Sequence, residues 1–388
     1  MNNYTIKDLF GKYPNDMIKK AKNIKLLTHT DMDGSGAAVL MKYLNSLDPF
    51  FGLEIVRVHS NQTDAIIRRE CLTNWDESYD LVLITDISCT RKTAQEIVKS
   101  GHAHKVVLLD HHKSAIDENL NQFGFCTIVA EGSAEDSVVR TNGKHPRNSS
   151  GTSLLYDFLK YEGVIEREEY LRERERGVFR ITLENGPTAC LSQLADSVAA
   201  YDTWDWQNIP EALVYRERIY KILNAMFWYY GAEAWEAIHL DRASRSVVLP
   251  VTEEDKIIYD VDQKKCAKTC ENALAGMKVY NASYVVGYNT VSEDKKSPVY
   301  MPYKTALCAA SAYIADVFEA MKKAVPDAEI YMILRDSDSI SMRTDKDIDL
   351  SNIAKLQGGG GHKAAAGISL KGADIVNTAL RITSSIIV

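Results

Sequence analysis

Residues 29–34 read His29-Thr30-Asp31-Met32-Asp33-Gly34, an imidazole and two carboxylates within five positions, directly after the largely apolar segment 24–27. Alternate residues of an extended segment share a side. The side chains of His29, Asp31 and Asp33 can therefore face one point, as a divalent cation with imidazole and oxygen ligands requires. The competing assignment is a polar strand-to-helix turn, with Asp31 or Asp33 capping the helix that starts near Gly36. Both fit the segment taken alone, so the choice rests on matching ligands elsewhere in the chain.

Two further apolar runs end in the same kind of chemistry. Residues 81–84 lead into Thr85-Asp86, and residues 106–109 lead into Asp110-His111-His112. Continuous apolar runs of this length, separated by helix-compatible stretches such as 93–99, are the pattern of buried parallel strands. Segment 24–27 is the first such strand. It is followed by a helix on which Val39, Leu40, Tyr43 and Leu44 fall at helical spacing, then by a short strand at 54–58. The expected fold is α/β, and ligands of open α/β sheets bind beyond the carboxyl ends of the strands, where these three acid or His ends would converge. A later helix carrying Leu191, Leu194, Ala195 and Val198 runs into Tyr201-Asp202-Thr203-Trp204-Asp205-Trp206, a further source of carboxylates.

At 388 residues the chain exceeds the usual size of one hydrophobic core, so two domains are expected. A net charge of -7 and a pI near 5.8 argue against a broad basic face for long nucleic acid, while leaving room for a small anion met by local cations. The seven cysteines show no paired zinc-knuckle spacing; Cys266 and Cys270 lie one helical turn apart, a packing pattern. Reduced thiols, no leader-like N-terminus and no stretch of about 20 apolar residues suggest a soluble cytoplasmic protein.

Residues 131–150 read as a polar loop. A helix follows from Gly151, marked by Leu154, Leu155, Phe158 and Leu159, with Ser149, Ser150 or Thr152 as its cap. Alternating acids and arginines over 166–177 predict a solvated helix face. Residues 211–243 are helical in composition, and their aromatics (Phe227, Trp228, Tyr229, Tyr230, Trp235) are assigned to packing in preference to base stacking. The pattern then restarts: a helix at 262–275, a strand at 284–288, a long helix at 304–323 and strands at 330–334 and 339–343. Segment 348–356, the run Gly358-Gly359-Gly360-Gly361-His362 and residues 364–368 complete a second α/β domain.

Taken in order, His29-x-Asp31-x-Asp33-Gly34, Asp86, Asp110-His111-His112, Asp202 in Tyr-Asp-Thr-Trp, and Gly-Gly-Gly-Gly-His-x-x-Ala-Ala-Gly resemble the DHH phosphoesterase superfamily. The last motif resembles its DHHA1 C-terminal domain, and the wording is most similar to the nanoRNase or oligoribonuclease B branch. The resemblance implies an N-terminal parallel-sheet DHH domain over residues 1–210, a helical connector over 211–249 and a smaller α/β DHHA1 domain over 250–388. It also implies two divalent cations, one held by His29, Asp31 and Asp86. Asp33, Asp86, His111 and Asp202 would hold the other, with Asp86 shared between them. Mixed imidazole and carboxylate ligands suit Mn²⁺, with Mg²⁺ as the alternative.

Asp110 would orient a ligand imidazole, completing a catalytic group with Asp86, His111 and His112, and His112 would donate to a phosphate oxygen. Asp205 is the main rival for the role of Asp202, and Asp196 a weaker one. Arg343, Gly358 to Gly361 and His362 would hold substrate. The implied activity is a two-metal exonuclease that degrades short RNA oligonucleotides to mononucleotides, alone or as a homodimer paired through the DHH domain. The alternative is a phosphatase or phosphodiesterase of pAp or of linear or cyclic dinucleotides. A pyrophosphatase or exopolyphosphatase fits less well, because relatives with those activities carry a different C-terminal domain. A nucleotide-binding module with a dead metal site fits least, since every expected ligand type is present.

Overall fold

The computed structural model of the chain describes residues 6–47, 52–130, 148–165, 170–174, 177–181, 186–203, 218–245, 251–292, 295–335, 339–361 and 363–369. Asp205, His362 and most of the loop expected at 131–150 lie outside them. The chain divides into two compact units, Met1–Tyr259 and Asp260–Val388.

In the first unit, β1 (Asn23–His29), β2 (Gly52–Val58), β3 (Leu81–Thr85), β4 (Val106–Asp110) and β5 (Cys126–Ile128) form a parallel sheet in the order β2-β1-β3-β4-β5. The apolar runs are continuous because both faces are covered. Leu26, Leu83, Val107 and Leu109 join one core, and Leu27, Val82, Ile84 and Leu108 the other. Helix α1 (Met32–Leu47) packs on the first core, and α2 (Arg91–Ser100) lies against the second through Ala94 and Ile97. The strand order reverses between β1 and β3, the switch point where such sheets bind ligands at their carboxyl ends. Those two ends carry His29 and Asp86.

Small residues bring helices close to this point. A Cβ on Gly34 would lie 2.1 Å from the His29 carbonyl oxygen, and one on Gly36 would lie 2.5 Å from Thr152 Oγ1 in α3 (Gly151–Tyr161). Next come β6 (Tyr170–Arg174) and β7 (Gly177–Ile181), an antiparallel pair, where the alternating charges predicted a helix. Alternation of charge has no period that excludes a strand, and backbone pairing decides the outcome. Helix α4 (Gly186–Asp202) ends at Asp202.

Helices α5 (Ile219–Tyr230) and α6 (Ala232–Ser244) pack on the same core through Leu223, Phe227 and Trp235. The packing assignment holds for Phe227 and Trp235. It fails for Trp228, Tyr229 and Tyr230, which are exposed, because they occupy the outward side of the last turn of α5.

After α7 (Glu253–Ala275), the second unit holds β8 (Lys278–Ser292), β9 (Lys295–Ala309), α8 (Ile314–Ala324), β10 (Ile330–Arg335), β11 (Ser339–Arg343), α9 (Leu350–Lys355), β12 (Gly360–Gly361) and β13 (Ala365–Ser369). The six strands run in the order β12-β13-β11-β10-β9-β8. The helix expected over 304–323 is two elements. Residues up to Ala309 belong to β9, paired with both β8 and β10, and the helix starts at Ile314 after Tyr313, whose φ is 54°. A short apolar run such as 305–309 fits either element by periodicity, and its two strand neighbours settle it.

Candidate metal centre

The ends of β1, β3 and β4 bring His29, Asp86 and His111 together, and α4 delivers Asp202. His29 Nδ1 lies 2.6 Å from Asp31 Oδ2 and 3.8 Å from Asp86 Oδ2. His111 Nε2 lies 3.2 Å from both Asp86 Oδ1 and Asp202 Oδ2, and 4.0 Å from Asp33 Oδ2. The donor atoms of His29, Asp31 and Asp86 fall within 4.8 Å of one another, as do those of Asp33, His111 and Asp202. One imidazole nitrogen facing three carboxylates can hydrogen-bond with at most one of them well. A cation between them satisfies all.

The charge balance fits the same group. Asp86 Oδ2 and Asp202 Oδ2 are buried and have no hydrogen-bond partner among the described residues, and the same holds for Asp110 Oδ2. Burial pushes the Asp86 carboxyl well above the usual carboxylate range, and the neighbouring charges of Asp31, Asp33 and Asp202 push it further. Asp202 is raised by burial and by Asp33 and Asp31; Asp33 is raised by burial and by Asp31. Burial would raise Asp31 too, but its hydrogen bond and charge contact with His29 prevail and hold it low. Buried like charges without counterions are costly, and divalent cations ligated by imidazole and carboxylate remove that cost.

Several neighbours fix these candidate ligands. Asp31 Oδ1 accepts from the Gly34 N–H at 3.0 Å, which closes the first turn of α1. Asp33 is aimed by the N-terminus of α3: Gly151 N–H donates to Oδ2 at 2.6 Å and Thr152 N–H to Oδ1 at 3.0 Å. The Thr152 hydroxyl also donates to the Asp33 carbonyl. Gly151 packs so closely on Asp86 that an added Cβ would lie 2.5 Å from the Asp86 Cβ, and Asp86 itself is held at φ 61°. From the sequence, this stretch offers only a helix cap. Ser150 does fill that role, in a capping box with Ser153. The contacts of Gly151 and Thr152 with the acidic cluster were missed, and the run of small polar residues from Ser149 to Ser153 was the available signal.

Asp110 Oδ1 accepts from His112 Nδ1 at 2.7 Å and from the His111 backbone N–H at 2.9 Å. Burial works against the charge on both partners, yet their mutual attraction prevails: Asp110 is held at about 2 and His112 is raised to about 9. A partly exposed imidazole paired with a buried carboxylate thus stands beside the cluster. Asp196 contributes to none of the clustered ligand groups among the described residues.

In the second unit, Arg343 ends β11 opposite Ala365 of β13, and Gly361 lies opposite the next residue, Ala366. Arg343 Nη1 donates to Ser341 Oγ at 2.8 Å and to the Met342 carbonyl at 2.9 Å, and burial, aided by Arg335, lowers its pKa to about 10. The glycine run has packing reasons of its own. A Cβ on Gly359 would lie 2.0 Å from the Gly367 carbonyl oxygen, and Gly361 (φ 136°) has no room for one beside Ala365 and Ala366. Gly360 faces open space.

Comparison with known proteins adds three findings. Residues 310–388 match the model of the DHHA1 domain. The chain is 24% identical over 349 residues to oligoribonuclease NrnB of Bacillus subtilis, covering 89% of this chain and 72% of that one. Among solved structures it is similar to RecJ of Thermus thermophilus in complex with Mn²⁺ (15% identity, TM-score 0.49, 95% of this chain and 52% of that one). It is also similar to PggH, a pGpG-specific phosphodiesterase of Vibrio cholerae (12% identity, TM-score 0.44, 94% and 99%). Residues 310–388 are thus a DHHA1 domain, and the ordered acidic and histidine motifs together with the likeness to NrnB along most of its length make the whole chain similar to the DHH/DHHA1 phosphoesterases.

Proposed function

We propose that the protein is a two-metal phosphodiesterase that degrades short RNA oligonucleotides to mononucleotides, with Mn²⁺ as the working ion. The observation that carries this is the pair of ligand groups meeting at Asp86, 3.2 Å from His111 on one side and 3.8 Å from His29 on the other. Kinship with NrnB, named as an oligoribonuclease, supports the substrate class. Two divalent cations so held supply Lewis acidity toward a phosphoryl oxygen and activation of the attacking water.

The chain's own residues do the rest. His112, kept protonated by Asp110, donates to a non-bridging phosphate oxygen and offsets charge that develops there. Arg343 and the N–H groups of Gly358 to Gly361, with His362, grip the substrate's phosphate. With a net charge of -7 the protein attracts nucleic acid only through such local contacts, which suits a substrate of few phosphates. No helix among the described residues is long and apolar enough to cross a membrane.

The deciding experiment incubates the protein with Mn²⁺ and labelled dinucleotides, longer RNA and DNA, cyclic dinucleotides and pAp. Fastest release of mononucleotides from RNA dimers to pentamers is expected; a strong preference for pAp over every oligomer would overturn the proposal. Two further outcomes follow. Arg343→Ala should raise KM for a dinucleotide roughly thirtyfold, the worth of about 2 kcal/mol in charge-assisted hydrogen bonding, and leave Mn²⁺ affinity unchanged. Adding Mn²⁺ at a hundredfold excess over its Kd to chelator-stripped protein should stabilise it by about 2.7 kcal/mol. The corresponding rise in Tm is roughly 3–5 °C, and EDTA should reverse it.

A further inference from the structure

His29 is the last residue of β1; it still lies opposite Val58 of β2, but pairing with β3 has ended one residue earlier, at Thr28 opposite Thr85. The His29 carbonyl accepts from Arg57 Nη1 of β2 at 3.2 Å. The other terminal nitrogen of Arg57 is paired with Glu236 of α6, whose carboxylate also accepts from Lys42 Nζ of α1 at 2.6 Å. Glu236 is only 2% exposed. A carboxylate so deeply buried is tolerated because cations face it, and it holds them in turn. Arginine suits the middle position because its planar fork reaches a carbonyl with one arm and a carboxylate with the other.

We propose that Arg57, locked by Glu236, is a positioning residue for the His29, Asp31 and Asp86 group, fixing the backbone that carries His29 and so setting the affinity for the cation held there. The inference rests on the metal reading given above. The salt bridge does more than dock α6 on the sheet: it reaches the main chain of a metal ligand from a helix that itself supplies none. Lys42 shares the carboxylate without touching the ligand segment, which separates the two roles.

Calorimetric titration of the stripped, full-length protein with Mn²⁺ tests it, with thermal melts alongside. Arg57→Lys keeps the charge but lacks the second arm. It and Glu236→Gln should each weaken one of two Mn²⁺ binding steps about tenfold and spare the other, a size usual for groups that orient metal ligands. The double variant should be no weaker than the poorer single one, because both changes break the same link. Lys42→Met should match the wild-type isotherm. Should Glu236→Gln fail to fold, Arg57→Lys carries the test. Wild-type isotherms for Arg57→Lys, or equal weakening by Lys42→Met, would overturn the inference while leaving the metal centre standing. A wild-type protein that binds no Mn²⁺ would remove the centre itself and this inference with it.

Discussion

Asp86→Asn should abolish phosphodiester hydrolysis while leaving the metal-free protein at least as stable as the parent. Asp86 lies 3.8 Å from His29 Nδ1 and 3.2 Å from His111 Nε2, so on the proposed reading it serves both cations and its loss opens both sites. Metal-borne stabilisation of a phosphoryl transition state is worth several kcal/mol; losing about 4 kcal/mol lowers kcat roughly a thousandfold. Stability should move the other way. In the metal-free state the Asp86 carboxyl is disfavoured as an anion by burial and by Asp31, Asp33 and Asp202, and a neutral amide removes that repulsion. Asparagine is also the right probe for the backbone, because φ is 61° and Asn tolerates the left-handed region, whereas Ala there costs about 1–2 kcal/mol. Product release from an RNA dinucleotide, with Tm recorded in EDTA and in Mn²⁺, checks both halves. Activity within tenfold of the parent, or an undiminished Mn²⁺ shift in Tm, would refute the shared role.

Much of this site was legible because its chemistry sits at strand ends. An apolar run that stops at an acid or a His announces both the strand and the end at which it presents polar chemistry, and β1, β3 and β4 each do so. The parallel sheet follows from the same runs, since both of its faces are covered. What the sequence hid is long-range. The donors that aim Asp33 come from residues 118 and 119 positions away. The positive φ of Asp86 has no signature in a non-glycine residue, and the Arg57 to Glu236 pair spans 179 positions.

The misread elements have local causes. At 304–323 a strand and a helix abut, both apolar, with the break at Tyr313 carried by a residue that ordinarily gives no turn signal. The glycine run illustrates a subtler limit. Its freedom to cradle an anion was readable, but the close approach of Gly359 and Gly361 to β13 was not. Gly359 and Gly361 serve sheet packing, while a Cβ on Gly358 or Gly360 would meet nothing within 4 Å.

Gly151→Ala should cripple the centre without replacing any of its candidate ligands. The new methyl carbon would lie 2.5, 2.7 and 2.8 Å from the Asp86 Cβ, N and Cα, and this backbone has little room to yield: the Asp86 N–H is bonded to the Leu109 carbonyl at 3.1 Å. The start of α3 must therefore move away. That movement draws the Gly151 and Thr152 N–H groups off Asp33, now 2.6 and 3.0 Å distant, and leaves a buried carboxylate without the donors that aim it. Overpacking of this kind costs about 1–3 kcal/mol, and loss of groups that orient a metal ligand costs about 10–100-fold in affinity or activity. Gly124→Ala, at a glycine whose Cβ would meet nothing within 4 Å, is the matched control and should behave as the parent. Denaturant melts and Mn²⁺ titration of the two variants decide the matter. A Gly151→Ala protein that binds Mn²⁺ as tightly as Gly124→Ala would show that the N-terminus of α3 does not hold Asp33 in its working position.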